Sequence, residues 1–96
     1  MKLDRIARTG DQRPAFEAVF KMDDGKQKTV KFGTSSNYVT NPDKTKADRS
    51  AYIARHAVRE NWKDPMTRGA LSRYILWGDS RSVVENTRAF RKRFNL

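Results

Sequence analysis

The chain has no cysteine. That excludes disulfides, thiol nucleophiles and cysteine-ligated zinc together, and it fits a protein of a cell or particle interior. Histidine occurs once, as His56. One imidazole cannot build a histidine-rich metal site, and the nearby Glu60 and Asp64 make no recognised ligand spacing, so His56 reads as a capping or surface residue. No apolar run approaches the roughly 20 residues of a membrane span. The opening MKLDRIARTG lacks the apolar core of a secretory signal. The expectation is a protein that neither enters a membrane nor is secreted. Nucleotide-binding glycine loops are missing as well. Ser80 and Ser82 have no partner base in sequence, and the adjacent carboxylates Asp23 and Asp24 are explained by a hairpin turn. The chain therefore reads as non-enzymatic, with no cofactor and no metal. Acid is scarce too: 11 Asp and Glu stand against 21 Lys and Arg, for a net charge of +10.

What is present fits one domain over residues 1–96, divided into a β-meander with its connector (1–40) and a basic helical part (41–96). Residues 2–8 read as a strand, although Leu3 and Ile6 do not share a face under strict alternation. Thr9 to Pro14 reads as a turn. Phe16, Ala18, Phe20 and Met22 then fall on one face, with Glu17, Val19 and Lys21 on the other, the period of a half-buried strand. Asp24-Gly25 is a hairpin signal, and Lys28, Val30 and Phe32 continue the pattern on the return strand. The connector Gly33–Asp43 offers hydroxyls and amides suited to a phosphate. It matches no defined phosphate-binding motif and reads as an ordinary loop, with Tyr38 and Val39 as a short extended piece.

Three helices are expected next. The first starts after Asn41 or Asp43 and runs to about Asn61 or Lys63. Ala47, Ala51, Ala54 and Val58 form its apolar stripe, and Arg49, Tyr52, His56, Arg59 and Lys63 line another face. The second runs from a Thr67 cap to Gly78, with Ala70, Leu71, Tyr74, Ile75 and Trp77 on one apolar arc and Leu76 pointing away, either exposed or in a contact. The third runs from Arg81, capped by Asp79 or Ser80, to about Phe94, with Val83, Thr87, Phe90 and Phe94 inward. The expected fold class is α+β: a small antiparallel β-meander of two or three strands followed by three α-helices.

The charge is uneven. Residues 1–40 carry net +3 and residues 41–96 net +7, and in the second part arginine outnumbers lysine nine to four. Arginine suits bidentate phosphate and carboxylate pairing and stacking on rings. Interleaved with Tyr52, Trp62, Tyr74 and Trp77, these cations form a surface that phosphates and bases can use. Ordinary core aromatics and solvated helix faces explain the same residues without a ligand. The candidate nucleic-acid-binding set is Arg49, Arg59, Lys63 and Arg81, with Arg88, Arg91, Lys92 and Arg93 of the last helix. An acidic protein surface is the alternative partner.

From Tyr52 onward the order Tyr-x-x-Arg-His, Asn-Trp, Pro-Met-Thr-x-Gly, Leu-Ser-Arg-Tyr-x-Leu-Trp, with a basic Phe-containing tail, resembles a family of small basic proteins of unassigned function from large DNA viruses of algae and amoebae. The matching positions are Tyr52, Arg55, His56, Asn61, Trp62 and Pro65, then Gly69, Arg73, Tyr74 and Trp77, with Met66, Thr67, Leu71, Ser72 and Leu76 between them. The resemblance covers about the C-terminal half, plus Lys31–Gly33, and carries over no catalytic residue. It implies a viral protein, in the virion or inside the infected host cell. A minor capsid or scaffold component is the structural alternative. Arg55 and Arg73 are open between locking the Asp64–Gly69 corner and binding a ligand.

Overall fold

The computed structural model describes residues 1–96 and is an α+β fold: a three-stranded antiparallel sheet followed by three helices. Strands β1 (Lys2–Arg8), β2 (Phe16–Lys21) and β3 (Gln27–Phe32) lie in the order β1-β2-β3. The faces of β2 and β3 follow the alternation except at Val19, which lies opposite the apolar face and is buried too. Phe16 pairs with Phe32 and Ala18 with Val30, and Phe16, Ala18, Phe20 and Phe32 are buried. Strand β1 resolves its own mismatch with a bulge. Leu3 pairs with Phe20 and Arg5 with Val19, which leaves Asp4 as the extra residue. Ile6 then meets Ala18, on the same face as Leu3.

The connector does not extend at Tyr38 and Val39. Both are buried in a turn wound around the fully buried Asn37. Its amide donates to Thr34 O (2.7 Å) and Thr40 Oγ1 (2.8 Å), and its Oδ1 accepts from Val39 N and Thr40 N. A side chain that satisfies this many local backbone groups competes successfully with an extended strand.

Helix α1 (Lys46–Ala57) is shorter at both ends than the sequence pattern suggests. It starts at a Thr45 capping box closed by Asp48, whose carboxyl is held below its ordinary range by the Thr45 backbone and hydroxyl bonds. Beyond it, Asn61 Oδ1 accepts from Lys63 N and Asp64 Oδ1 from Met66 N, turns that replace further helix. Its faces are reversed from the expectation. The helix buries no residue, its alanines are exposed and Val58 is 82% exposed. The Arg49–Tyr52–His56 face turns inward instead. Each alanine methyl contributes at most about 0.8 kcal/mol. The Tyr52 ring, by contrast, lies flat on Trp77 at 4.1 Å and 1°.

Helix α2 (Arg68–Leu71), capped by Thr67, runs directly into a π-helical turn (Ser72–Leu76) in which Trp77 N–H donates five residues back to Ser72 O (2.9 Å). The wide turn changes the angular step between side chains. Leu76, placed on the outside by a regular helical count, is fully buried. It packs against Gly33, where a Cβ would stand 2.2 Å from its Cδ1. Helix α3 (Val83–Phe94) begins at a Ser82 cap, not at Asp79 or Ser80, because Ser80 Oγ is bonded to Glu85 and its backbone N–H to the Asn86 side chain. Thr87 and Phe90 are buried, and Val83 and Phe94 half-buried, as their spacing predicts. The core lies between the inner sheet face and Leu71, Ile75, Leu76 and Phe90. No helix is long and apolar enough to cross a membrane.

Gly33 has φ +78, so a side chain there meets both backbone strain and Leu76. Gly33→Ala is expected to lower unfolding free energy by about 2–4 kcal/mol, the sum of a left-handed residue and an overpacked contact. Urea denaturation measures it, and a loss below about 1 kcal/mol would show that the contact yields.

Candidate nucleic-acid interface

Three of the eight candidate cations are committed to the fold. Arg49 Nε donates to Trp77 O and Gly78 O (both 3.1 Å), and its Nη2 meets Asp79 Oδ1 (2.6 Å). Arg81 lies over the Tyr38 ring (4.0 Å) and donates to Tyr38 O (2.8 Å) and Lys44 O (2.5 Å). Arg91 donates from Nε to Leu3 O (3.0 Å) and from Nη2 to Asp4 O (3.1 Å), tying the end of α3 to the bulge of β1. The pattern is physical: loops and helix ends present carbonyls without partners, and a guanidinium reaches two at once.

Arg73 and Arg55, open in the sequence, separate here. Arg73 Nη1 donates to Trp77 O (3.1 Å), and its guanidinium lies 5.4 Å from Trp62 and 5.0 Å from Tyr74. Burial, with the Arg49 charge adding to it, holds its pKa below the usual range. Arg73 is held at the end of its own helix and against these rings, and makes no bond to the Asp64–Gly69 corner. Arg55 is exposed and makes no such bond: the arginine side chains that bond within the chain are Arg5, Arg49, Arg73, Arg81 and Arg91.

The other five candidates, Arg59, Lys63, Arg88, Lys92 and Arg93, are exposed and in no ion pair. Two of them meet motif residues in a groove of about 540 Å³, lined by Lys63 and Arg93 together with Asn61, Trp62, Tyr74 and Phe94. Trp62 and Tyr74 are half-buried and meet edge to face at 6.4 Å, and Arg93 lies 4.2 Å over Tyr74. Arg59, Arg88 and Lys92 are exposed but do not line the groove.

Glu60 forms the back wall. Its Oε2 accepts from Trp62 Nε1 (2.8 Å), and its Oε1 lies 3.2 Å from His56 Nδ1. His56 is not a free surface histidine, because it also stacks on Tyr52 at 4.0 Å. A Cβ at Gly69 would come within 2.9 Å of the Glu60 carboxyl carbon, so the motif glycine leaves space for this acid. On the far side of Glu60 stand three cations that the sequence reading did not select, Arg13, Lys44 and Arg68. No local pattern marks Arg13. It arrives because Ser35 N–H donates to Gln12 O (3.0 Å), pinning the β1–β2 loop to the connector. No family model, curated protein or solved structure matches the chain.

Two measurements separate fold from surface. Arg91→Ala is expected to cost about 3 kcal/mol through two lost charge-assisted bonds, and Arg88→Ala less than about 0.5 kcal/mol. Equal losses in urea melts would contradict the division. The Tyr52 hydroxyl is pushed up to about 12 from 10.0, by burial first and Glu60 second. Its folded pKa is raised, so its contribution to stability is complete below pH 10 and falls as pH rises toward 12. Ultraviolet difference titration should show one of the three tyrosines ionising late, and Tyr52→Phe should remove that step.

Proposed function

We propose that the chain is a non-enzymatic, small basic protein that binds nucleic acid through phosphate contacts and ring stacking, without base specificity, using the cationic surface of its helical part. One observation carries the reading. Lys63 and Arg93, exposed and in no ion pair, line one groove with two half-buried rings, Trp62 and Tyr74, and Arg59, Arg88 and Lys92 are exposed and in no ion pair as well. Phosphates answer the cations, and a base face answers the rings, whatever the base. Residence in a virion or in the interior of an infected host cell is part of the proposal and rests on the Tyr52–Trp77 resemblance alone.

The alternative, a minor capsid or scaffold protein meeting acidic protein surfaces, has a different support. The exposed stripe of Ala47, Ala51, Ala54 and Val58 is an apolar helix face that the fold itself does not cover.

Fluorescence anisotropy with unrelated duplexes and single strands tests the first reading. Five phosphate contacts predict a fall in affinity of roughly 500-fold on duplexes and about 100-fold on single strands between 50 and 200 mM salt. Lys63→Ala with Arg93→Ala should reduce the salt slope by about 2 on every sequence alike. Trp62→Leu should weaken single strands more than duplexes, by about 1–3 kcal/mol. No binding at the lowest salt would overturn the proposal and favour the acidic-surface reading.

A further inference from the structure

On the opposite side of Glu60 from the groove lies a cleft of about 440 Å³, between the Gly33–Ser36 connector, the inward face of α1 and the start of α2. It is lined by Arg13, Lys44, Arg55 and Arg68 against the single carboxylate of Glu60. None of the four cations is in an ion pair. Cations gathered without an internal counter-ion repel one another and work against the fold, and a bound anion reverses that sign. Thr34, Ser36 and Ser72 add hydroxyl groups to the same wall. Forked guanidiniums with hydroxyl donors are the chemistry of phosphate recognition. Four cations against one acid exceed the single charge of a backbone diester and suit a doubly charged phosphate monoester.

The cleft also has an aromatic side. Trp77, Tyr52 and His56 form one three-ring stack, at 4.1 Å between the first pair and 4.0 Å between the second. The Trp77 end is buried, whereas the His56 side chain is 39% exposed and also borders an outer hollow with Arg55 and Arg59. A planar base laid on His56 becomes the fourth ring of the stack and stands beside the cleft cations. We propose that this cleft binds the terminal phosphate of a nucleotide, with the base stacked on the outer face of His56. Its residues are not those of the groove, except for the shared wall at Glu60, so it holds whether or not the groove binds strands.

The test is a titration of the full chain with a nucleoside 5′-monophosphate, followed through amide and imidazole resonances. The monophosphate should shift Ser36, His56 and Gly69, the bare nucleoside should not, and inorganic phosphate should bind about tenfold more weakly for want of the stack. Arg55→Gln with Arg68→Gln should weaken binding at least tenfold. Both side chains are exposed and unbonded, and their loss relieves repulsion, so the thermal midpoint should not fall. A pair of strands differing only in a 5′-phosphate identifies the source. A gain for the phosphorylated strand makes the ligand a strand end, and equal strands with a binding free nucleotide make it a free nucleotide. Either result supports the cleft. It is overturned if the monophosphate shifts only α3 resonances such as Arg88 and Lys92, or if the double variant binds as the parent does. Equal affinity for inorganic phosphate overturns the placement of the base. Affinity for the 5′-hydroxyl strand, read in the same series, reports on the groove separately.

Discussion

A π-helical turn ends in carbonyls that the helix itself does not use, and much of this structure depends on how they are held. Trp77 O accepts from both Arg49 Nε and Arg73 Nη1, and Gly78 O accepts from Arg49 as well. The same turn brings Leu76 into the core and leaves the Trp77 ring as a platform for Tyr52. Helix α1 buries no residue of its own. Its attachment is therefore the Arg49 fork and the ring stack, not an apolar seam. If the turn were regular α-helix, Leu76 would leave the sheet, the Gly33 contact would open and Tyr52 would lose its partner. A single change of helical period thus links the core, the connector and the outermost helix.

The arginines are divided by what they bond. Arg49, Arg73, Arg81 and Arg91 bond chiefly to backbone carbonyls, and only Arg49 adds a carboxylate. A guanidinium held by carbonyls keeps its full charge, so the structure is locked together without neutralising the chain's +10. Such bonds are worth about 1.5–3 kcal/mol when the partner is charged, more than an exposed ion pair provides. The exposed cations of α3 and of the segment after α1 are then free of structural duty. The fold and the cationic surface draw on the same residue type without competing for the same side chains.

Much of the scaffold was legible because it follows local rules. The sheet pairing came from period-2 alternation, the hairpin from Asp24-Gly25, and the α3 stripe from the 4-3-4 spacing of Val83, Thr87, Phe90 and Phe94. The misreadings have specific causes. The β1 bulge adds a residue and restores a face that strict alternation denies to Leu3 and Ile6. The π turn breaks the 100° step on which the outward placement of Leu76 relied. The faces of α1 were reversed because helical periodicity identifies a stripe and does not say how much each residue gains on burial. Three alanines and a valine lost to one tyrosine ring and one guanidinium fork. Of the groove, Trp62, Lys63, Tyr74 and Arg93 were each legible as candidates, but their meeting was not, since no spacing rule relates the segment after α1 to the end of α3. The cleft cations Arg13, Lys44 and Arg68 come from three separate segments, and no spacing rule connects them.

Glu60 shows why an acidic residue persists in the middle of so basic a surface. A carboxylate facing cations on two sides would be expected to draw one of them into an ion pair and close the space. Here both of its oxygens are engaged otherwise, one with the Trp62 indole N–H and the other with the His56 ring. Those bonds hold two rings rather than two cations. One fixes the aromatic edge of the groove, and the other fixes the outer member of the Trp77–Tyr52–His56 stack. Gly69 gives the carboxylate its position, since any side chain there would press on it. The acid thereby orients the stacking surfaces and leaves Arg55 and Arg68 on one side, and Lys63 and Arg93 on the other, unpaired and facing outward. An apolar residue at position 60 would leave both rings without an acceptor. An acid without the indole and imidazole contacts would have its oxygens free for the nearest cation, and the two cationic surfaces depend on its not having them free.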